Sequence, residues 1–321
     1  MPPMVLPLVS PETLWGSGLA LLALAIFSSC MVTVSFLMRG MGSGPGSMLA
    51  AAAGGVAGLV VAIGQLAFGG GAEPPTLRAV IWFAVAGIFS TYLGRWLVFK
   101  SIERMGPSRA AAVQCISPLI IAFFGWLLLG EVLATLGFLG MALGIAGLVI
   151  MTTGGQPKLA GTPGRQTVRQ DRFLFGSLLV GLGSAAAYSS SYVLRADAVR
   201  EWNEPLLGSA IGALVGLATL LFASRQQLVG HVLEIRANPG AARVYFAVGT
   251  MQFTAQVLVI ASMRYIPAAV AGLISMSTPL LVMPMSYFLL RKQENLTPAS
   301  VLGICITIAG LVLVVLYGRQ R

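Results

Sequence analysis

The sequence SPLIIAFFGWLLLGE, residues 117–131, decides the fold, because the chain contains a second stretch of the same kind. That second stretch is STPLLVMPMSYFLL, residues 277–290. Each has a proline near its start and runs through large apolar residues toward a glutamate, Glu131 or Glu294. Two glycines follow each glutamate at the same intervals, Gly140 and Gly147 in the first copy and Gly303 and Gly310 in the second. The chain is therefore predicted to consist of two related halves.

Composition indicates that these halves lie in a membrane. Of 321 residues, 57% are hydrophobic and 9% are charged, and the mean hydropathy is +0.87, so polar side chains are too few to cover a water-soluble globule. A membrane-spanning helix needs about 20 mostly apolar residues, because the hydrocarbon core is roughly 30 Å thick. Uninterrupted apolar runs predict helices rather than strands. Ten segments qualify: Leu14–Leu37, Ser47–Phe68, Ala79–Phe99, Pro107–Leu129, Leu133–Thr152, Phe173–Leu194, Leu206–Ala223, Val244–Met263, Pro267–Leu290 and Thr297–Tyr317.

The ten segments divide into two sets of five. Residues 1–153 form the first predicted repeat and residues 173–321 the second. Between them, residues 154–172 contain Gly, Pro, Gln, Thr and basic residues, a composition typical of a flexible linker. Because five is an odd number, the second repeat enters the membrane in the opposite orientation. We predict an all-α polytopic membrane protein whose ten transmembrane helices form two inverted five-helix repeats.

The landmarks of both halves resemble the EamA-type transporters of the drug/metabolite transporter superfamily. In the first half, the likeness rests on MGPSRAA at 105–111, Ser117-Pro118 and residues 125–131. In the second half, it rests on ASMRYIPAA at 261–269, Thr278-Pro279 and ENLT at 294–297. The resemblance implies that the first, third, fourth, sixth, eighth and ninth helices line a transport pathway. It also implies that both termini face the cytoplasm.

Two arguments about orientation disagree. Lys and Arg are denser in the odd-numbered connections between the predicted helices, even with Arg195 counted among the even ones. The positive-inside rule would then place both termini outside the cytoplasm, opposite to what the resemblance implies. Both arguments agree that the two termini share one side of the membrane.

Polar side chains inside the predicted helices form the candidate site, because each must pair with another helix or face a wet cavity. Gln252 and Gln256 share one face of the eighth helix. On the sixth helix, Ser184 shares a face with Tyr188 and Ser191. Glutamine is the stronger signal, since its amide has donors and an acceptor to satisfy, whereas serine commonly bonds back to its own helix. The predicted substrate-binding residues are Gln114, Tyr188, Ser191, Gln252 and Gln256.

Prolines inside predicted helices indicate bends, because proline removes an amide donor and kinks or loosens a helix. Pro118 and Pro279 occupy matching positions in the two halves, and Pro284 follows in the ninth helix. Such bends either shape a cavity wall in a carrier or are static, packed kinks. Glycines four residues apart predict close helix contacts, with homodimerisation as the minority alternative: Gly208, Gly212 and Gly216.

Charged residues restrict the solute. Every Asp and Glu lies in a predicted loop or at a helix end. The first helix therefore has no counterpart of the glutamate that serves proton and cation exchange in the related small multidrug resistance proteins. Arg95 lies near the end of the third helix, where it either snorkels to the membrane surface or faces inward and attracts an anion. The net charge of +10 fits loops that face anionic headgroups better than nucleic-acid binding.

These features predict a secondary transporter that moves a small polar metabolite, such as an amino acid or a nucleoside, by alternating access. Two alternatives stay open: a subunit that translocates lipid or a lipid-linked sugar, and a membrane scaffold that transports nothing. We expect no enzymatic activity, cofactor or metal site, since the sequence contains no Walker, zinc-spacing or catalytic-triad pattern. The expected partners are a small-molecule substrate and membrane lipids, with no nucleic acid and with a homodimer left open. The expected location is the cell (inner) membrane.

Overall fold

The computed structural model describes residues 11–37, 40–68, 74–105, 110, 113–114, 116–130, 134–154, 167–289 and 298–317. Within these ranges the regular secondary structure is entirely helical. One π-helical turn, Ile88–Gly94, joins α3 to α4 without a break, and we call the combined helix the third span. The α-helices are α1 Pro11–Leu37, α2 Ser43–Phe68, α3 Leu77–Gly87, α4 Arg95–Met105, α5 Ser117–Leu129, α6 Thr135–Gly154, α7 Thr167–Glu201, α8 Pro205–Ala223, α9 Leu228–Ala237, α10 Pro239–Ser262, α11 Ala268–Met276, α12 Pro279–Leu289 and α13 Pro298–Tyr317.

Helix length and composition match a chain that crosses the membrane many times. Among the described residues, six helices are long and apolar enough to span a bilayer: α1, α2, the third span, most of α7, α8 and α10. Shorter apolar helices lie in Ile120–Leu129, Thr135–Gly147, Ala268–Val282 and Val301–Leu313. Each of these ten regions overlaps one of the ten segments predicted from hydropathy. The prediction of an all-α polytopic membrane protein is confirmed.

The two halves meet through reciprocal glycine contacts. Gly87 of the third span lies so close to α8 that a Cβ there would be 2.0 Å from the carbonyl oxygen of Gly212. The related helix of the second half, α10, approaches α2 in the same way, and a Cβ at Gly249 would be 2.2 Å from the carbonyl oxygen of Ala50. Small residues allow such backbone contact, which gives van der Waals attraction inside lipid. The predicted close contacts at Gly208, Gly212 and Gly216 therefore form within one chain.

The fifth helices of the two halves, α6 and α13, pack against each other along their length. A Cβ at Gly147 would be 2.5 Å from the backbone nitrogen of Thr307, and a Cβ at Gly310 would be 2.3 Å from that of Gly144. Glycines at matching positions of the two repeats thus form one seam. The seam stands beside the remaining helices.

Two of the predicted kinks are corrected by the structure. Pro118 is the second residue of α5, and Pro279 is the first residue of α12, which follows a break at Ser277 and Thr278. Both prolines begin helices instead of bending them, because the first turn of a helix has no intrahelical acceptor for the amide that proline lacks. Pro284 lies inside α12, as predicted.

The sixth span is longer than hydropathy predicted. α7 begins at Thr167, inside the segment predicted as a linker, and ends at Glu201, beyond the predicted limit at Leu194. The extension carries Arg195 into the helix, so its assignment to a connection between helices is wrong. Several landmarks lie outside the described residues: Pro107, Glu131, Glu294 and most of the predicted linker.

Candidate functional site

A cavity of about 90 Å³ lies between the two halves. One water molecule needs about 10–15 Å³ of such volume, so several waters or one very small solute fit inside. The first half lines it with Phe27, Met31, Ser90, Arg95, Val98, Phe99, Ile102 and Gln114. The second half lines it with Tyr188, Tyr192, Arg195, Gln252, Gln256, Val259, Ser275 and Thr278. These residues belong to the first, third, fourth, sixth, eighth and ninth spans, the same six that the resemblance implied.

Arg95 lines this cavity from the third span. It immediately follows the π-helical turn and is 5% exposed. Its position excludes the snorkelling interpretation, in which the guanidinium would reach the membrane surface. Its Nε and Nη1 atoms donate no hydrogen bond to any described residue. The cavity therefore contains a fixed positive charge with free donors, since arginine stays protonated in proteins.

Arg195 brings a second positive charge to the cavity, from α7. It is 3% exposed, and its Nη2 donates a hydrogen bond to Oγ of Ser90 in the π-helical turn. The sequence prediction missed this residue. A signal was present, because Tyr188, Tyr192 and Arg195 follow one another at helical spacing and share one face of α7.

The predicted glutamines differ in how many hydrogen bonds their side-chain amides make. Nε2 of Gln114 donates to Oγ of Ser184, and its Oε1 accepts from Oγ of Ser117 at 3.2 Å. By contrast, Oε1 of Gln252 has no hydrogen-bond partner among the described residues. Gln256 lies one turn further along α10 and also faces the cavity. α10 thus offers a solute neutral hydrogen-bonding groups, whereas Gln114 mainly ties two helices together.

Ser191 is the predicted site residue that the structure does not bring to the cavity. Its hydroxyl is buried and donates to the backbone carbonyl of Tyr188 at 2.9 Å, within the same helix. The adjacent residue, Tyr192, faces the cavity instead. The other four predicted residues, Gln114, Tyr188, Gln252 and Gln256, all line it.

Apolar side chains form the rest of the wall. Phe27 and Met31 approach from α1, Phe99 from the third span and Val259 from α10. A mostly apolar wall with a few convergent polar groups is typical of small-molecule sites, where the polar groups fix the orientation of the ligand. None of the described lining residues is Asp or Glu.

A second cavity lies one helical turn from the first. Arg195 and Val259 line the central cavity, and Val199 and Met263, four residues further along the same helices, line the second. Four residues correspond to about 6 Å along a helix. The second cavity is wider, about 550 Å³, and carries Glu12, Arg200, Asn203 and Arg264. A thin layer that includes the buried side chains of Val199 and Met263 separates the two cavities.

Inverted halves with a polar cavity between them define the architecture of a membrane carrier. Comparison with known families supports this class. The model of the EamA-like transporter family matches residues 14–153 and 175–316, and the chain belongs to that family. One solved crystal structure is similar over 97% of this chain and 98% of its own, with a TM-score of 0.62 and 19% identity, a likeness that shows the fold alone. No curated protein matches the chain.

Proposed function

We propose that this chain is a secondary transporter, which carries a small polar metabolite across the membrane by alternating access. One observation carries the proposal: a cavity between two inverted halves is lined by buried polar side chains from both of them. Polar groups inside hydrocarbon are costly unless they are paired or hydrated, so those that face a cavity commonly mark substrate or ion pathways. The proposed binding residues are Tyr188, Gln252 and Gln256, and Gln114 lines the same cavity while its amide is bonded to Ser184 and Ser117.

The proposed mechanism needs a barrier that opens on one side at a time. On the side of the wider cavity, the layer between the two cavities is about one helical turn thick. Phe83 and Trp202 stack edge to face nearby, with ring centroids 6.2 Å apart, in the same apolar cluster as Val199 and Met263. We propose that rocking of the two halves parts this apolar cluster and joins the cavities, while the opposite end of the site stays closed.

The proposed location is the cell (inner) membrane, and the substrate class expected from the polar cavity is an amino acid or a nucleoside-like solute. A homodimer is also part of the proposal, and it would form through the outer faces of the helices. Gly147 of α6, Gly212 of α8 and Gly310 of α13 already make close contacts inside one chain.

Solute counterflow in proteoliposomes tests the proposal, because exchange is detected without knowledge of the coupling ion. Purified protein is reconstituted, the vesicles are loaded with a panel of unlabelled amino acids, nucleosides and small organic acids, and uptake of the matching labelled solute is followed. We expect at least one solute to accumulate transiently. A fluorescent lipid-scrambling assay runs on the same vesicles.

The two assays separate the candidate functions. Counterflow without scrambling supports the proposal. Scrambling without counterflow would instead show a lipid translocation subunit, and the absence of both activities would show a membrane scaffold. Gln226→Leu is the matched control, because Gln226 is an exposed glutamine in the turn before α9, outside the cavity.

A further inference from the structure

We propose that the solute is a small organic anion whose carboxylate binds between Arg95 and Arg195. The inference rests on the proposed function, since it names the chemical class of solute for the same cavity. It also predicts a second feature of the solute, a hydroxyl or amino group that donates to Gln252.

The first step is the unbalanced charge of the cavity. Two buried arginines line it, and the described lining includes no acidic residue. Both guanidinium groups belong to residues that line the same small cavity. A buried charge is costly unless it is paired. Ser90, which accepts the hydrogen bond from Arg195, has a neutral hydroxyl and leaves that charge uncompensated.

The acidic residues closest to Arg195 along the chain are occupied elsewhere. Asp197 and Glu201 lie on the same helix, and both face Arg78 at the start of the third span. The nitrogen–oxygen distances are 2.6 Å from Arg78 to Asp197 and 3.6 Å from Arg78 to Glu201. The protein therefore pairs an exposed arginine with two carboxylates and leaves the two buried arginines to another anion.

The second step is the supply of free hydrogen-bond donors. Nε and Nη1 of Arg95 are buried and have no acceptor among the described residues. Guanidinium donors lie in one plane and match the two oxygens of a carboxylate, so such pairs are often bidentate.

The third step is the free acceptor on the opposite wall. Oε1 of Gln252 has no described partner. A solute with a hydroxyl or an amino group beside its carboxylate would satisfy this oxygen and the donors of Arg95 together. A cation would meet two positive charges, and a neutral solute would leave both charges unpaired. The cavity chemistry therefore selects a small hydroxy or amino acid with net negative charge, or a related carboxylate.

The test compares acids with their neutral amides. Purified full-length protein in detergent is titrated with lactate, lactamide, succinate, succinamide and inorganic phosphate, and ligand-induced thermal stabilisation gives the affinities. We expect the acids to bind and the amides to bind at least about 10-fold more weakly, as is typical when a hydrogen bond to a charged group is lost. Arg95→Gln and Arg195→Gln should each lower affinity for the acids by roughly 10- to 100-fold, and Arg95→Lys should retain part of it.

Two readouts distinguish binding from a structural role. Arg95→Gln should not lower the melting temperature of the protein without ligand, because the substitution removes an unpaired buried charge. Arg225→Gln is the matched control, since Arg225 is exposed and lies over the ring of Phe222, with its Cζ 4.9 Å from the ring centroid. This control should leave the affinities for the acids unchanged.

Several outcomes would overturn the inference. Equal affinity for acids and amides, including no binding of either, contradicts a carboxylate site, and so does unchanged affinity in Arg95→Gln. Phosphate binding above that of both acids would show a phosphate site instead. The proposed function can fail separately. If acids bind through Arg95 but give no counterflow, the carboxylate site stands and the transport function fails. If neutral solutes give counterflow that Arg95→Gln does not change, the transport function stands and the carboxylate site fails.

Discussion

The third span and α10 occupy equivalent places in the two halves, and they contribute different chemistry to the same cavity. The third span has a π-helical turn, Ile88–Gly94, followed directly by Arg95. α10 is described as a regular α-helix and contributes the neutral amides Gln252 and Gln256. A π-helical turn contains an extra residue relative to an α-helix and is frequent at functional sites. The distortion lies on the charged side of the cavity.

The same two helices are alike where they pack. Each touches the second helix of the opposite half through a glycine, Gly87 against Gly212 and Gly249 against Ala50. Packing and substrate binding therefore place different requirements on the same repeated sequence. Packing requires small residues at equivalent points of both repeats, whereas binding requires side chains that differ between the repeats. The repeat can therefore keep its architecture while one wall of the site becomes positive and the other stays neutral.

The largest expected effect comes from breaking the shared contact. Gly87→Leu and Gly249→Leu should each lower the stability in detergent by a few kcal/mol, because overpacking typically costs about 1–3 kcal/mol and here the clash is with backbone. Gly212→Leu, across the contact from Gly87, should act in the same way. Melting temperatures measure the effect, with Gly18→Leu as the control, since a Cβ at Gly18 would have no neighbour within 4 Å among the described atoms. A loss in only one half would show that the two contacts are not equivalent.

A second experiment moves the charge from one wall to the other. Arg95→Gln should weaken carboxylate binding by about 10-fold or more, as expected for a hydrogen bond to a charged group. Adding Gln252→Arg should restore part of the preference for acids over amides, because the new charge faces the same cavity from α10. Titration of lactate and lactamide on both variants measures this. If the double variant prefers amides, the position of Arg95 matters more than the net charge.

Removal of the neutral amides should have a smaller effect. Gln252→Leu and Gln256→Leu keep a similar volume and each lose a polar contact worth about 0.5–1.5 kcal/mol, so affinity should fall by roughly 2- to 13-fold per change. Substrate titration checks the loss, and melting curves check that folding is intact. Gln226→Leu serves again as the control. Normal transport by both variants would mean that these glutamines only bridge helices.

The smallest effect is expected at the other arginine of the third span. The side chain of Arg78 is 63% exposed, and it pairs with Asp197 at 2.6 Å. Exposed ion pairs contribute about 0–1 kcal/mol because water screens them. Arg78→Gln should therefore shift the melting temperature only slightly and leave lactate affinity unchanged. A loss of affinity as large as that of Arg95→Gln would show that the ion pair controls access to the cavity.

Much of the fold was predictable, because membrane helices are recognised in a sequence by their length and apolar content. The repeat was visible because glycines such as Gly147 and Gly310 must recur wherever backbones touch. The starts of helices were less predictable. Pro118 and Pro279 are equally compatible with a kink and with a first turn, and hydropathy does not distinguish the two.

The candidate site was predicted in part, for a physical reason that α7 illustrates. Residues three and four positions along a helix point in nearly the same direction, so a tyrosine at 188 predicts inward neighbours at both 191 and 192. Ser191 bonds to its own helix, and Tyr192 lines the cavity. Arg195 was missed because the alternating charges at Arg195, Asp197 and Arg200 resemble a loop, although the same periodicity continues through them.

The seam between α6 and α13 has a consequence for the energetics of a transport cycle. The backbones of the two helices touch at Gly147 and Gly310, so relative sliding would force them into each other. In the proposed transport cycle, we therefore expect these two helices to move together as one rigid pair that belongs to both halves. None of the described residues of this pair lines the cavity, so the pair is expected to keep its contacts while the site opens and closes. The interfaces between the other spans would then rearrange in each turnover, and the α6–α13 pair would lie at the pivot.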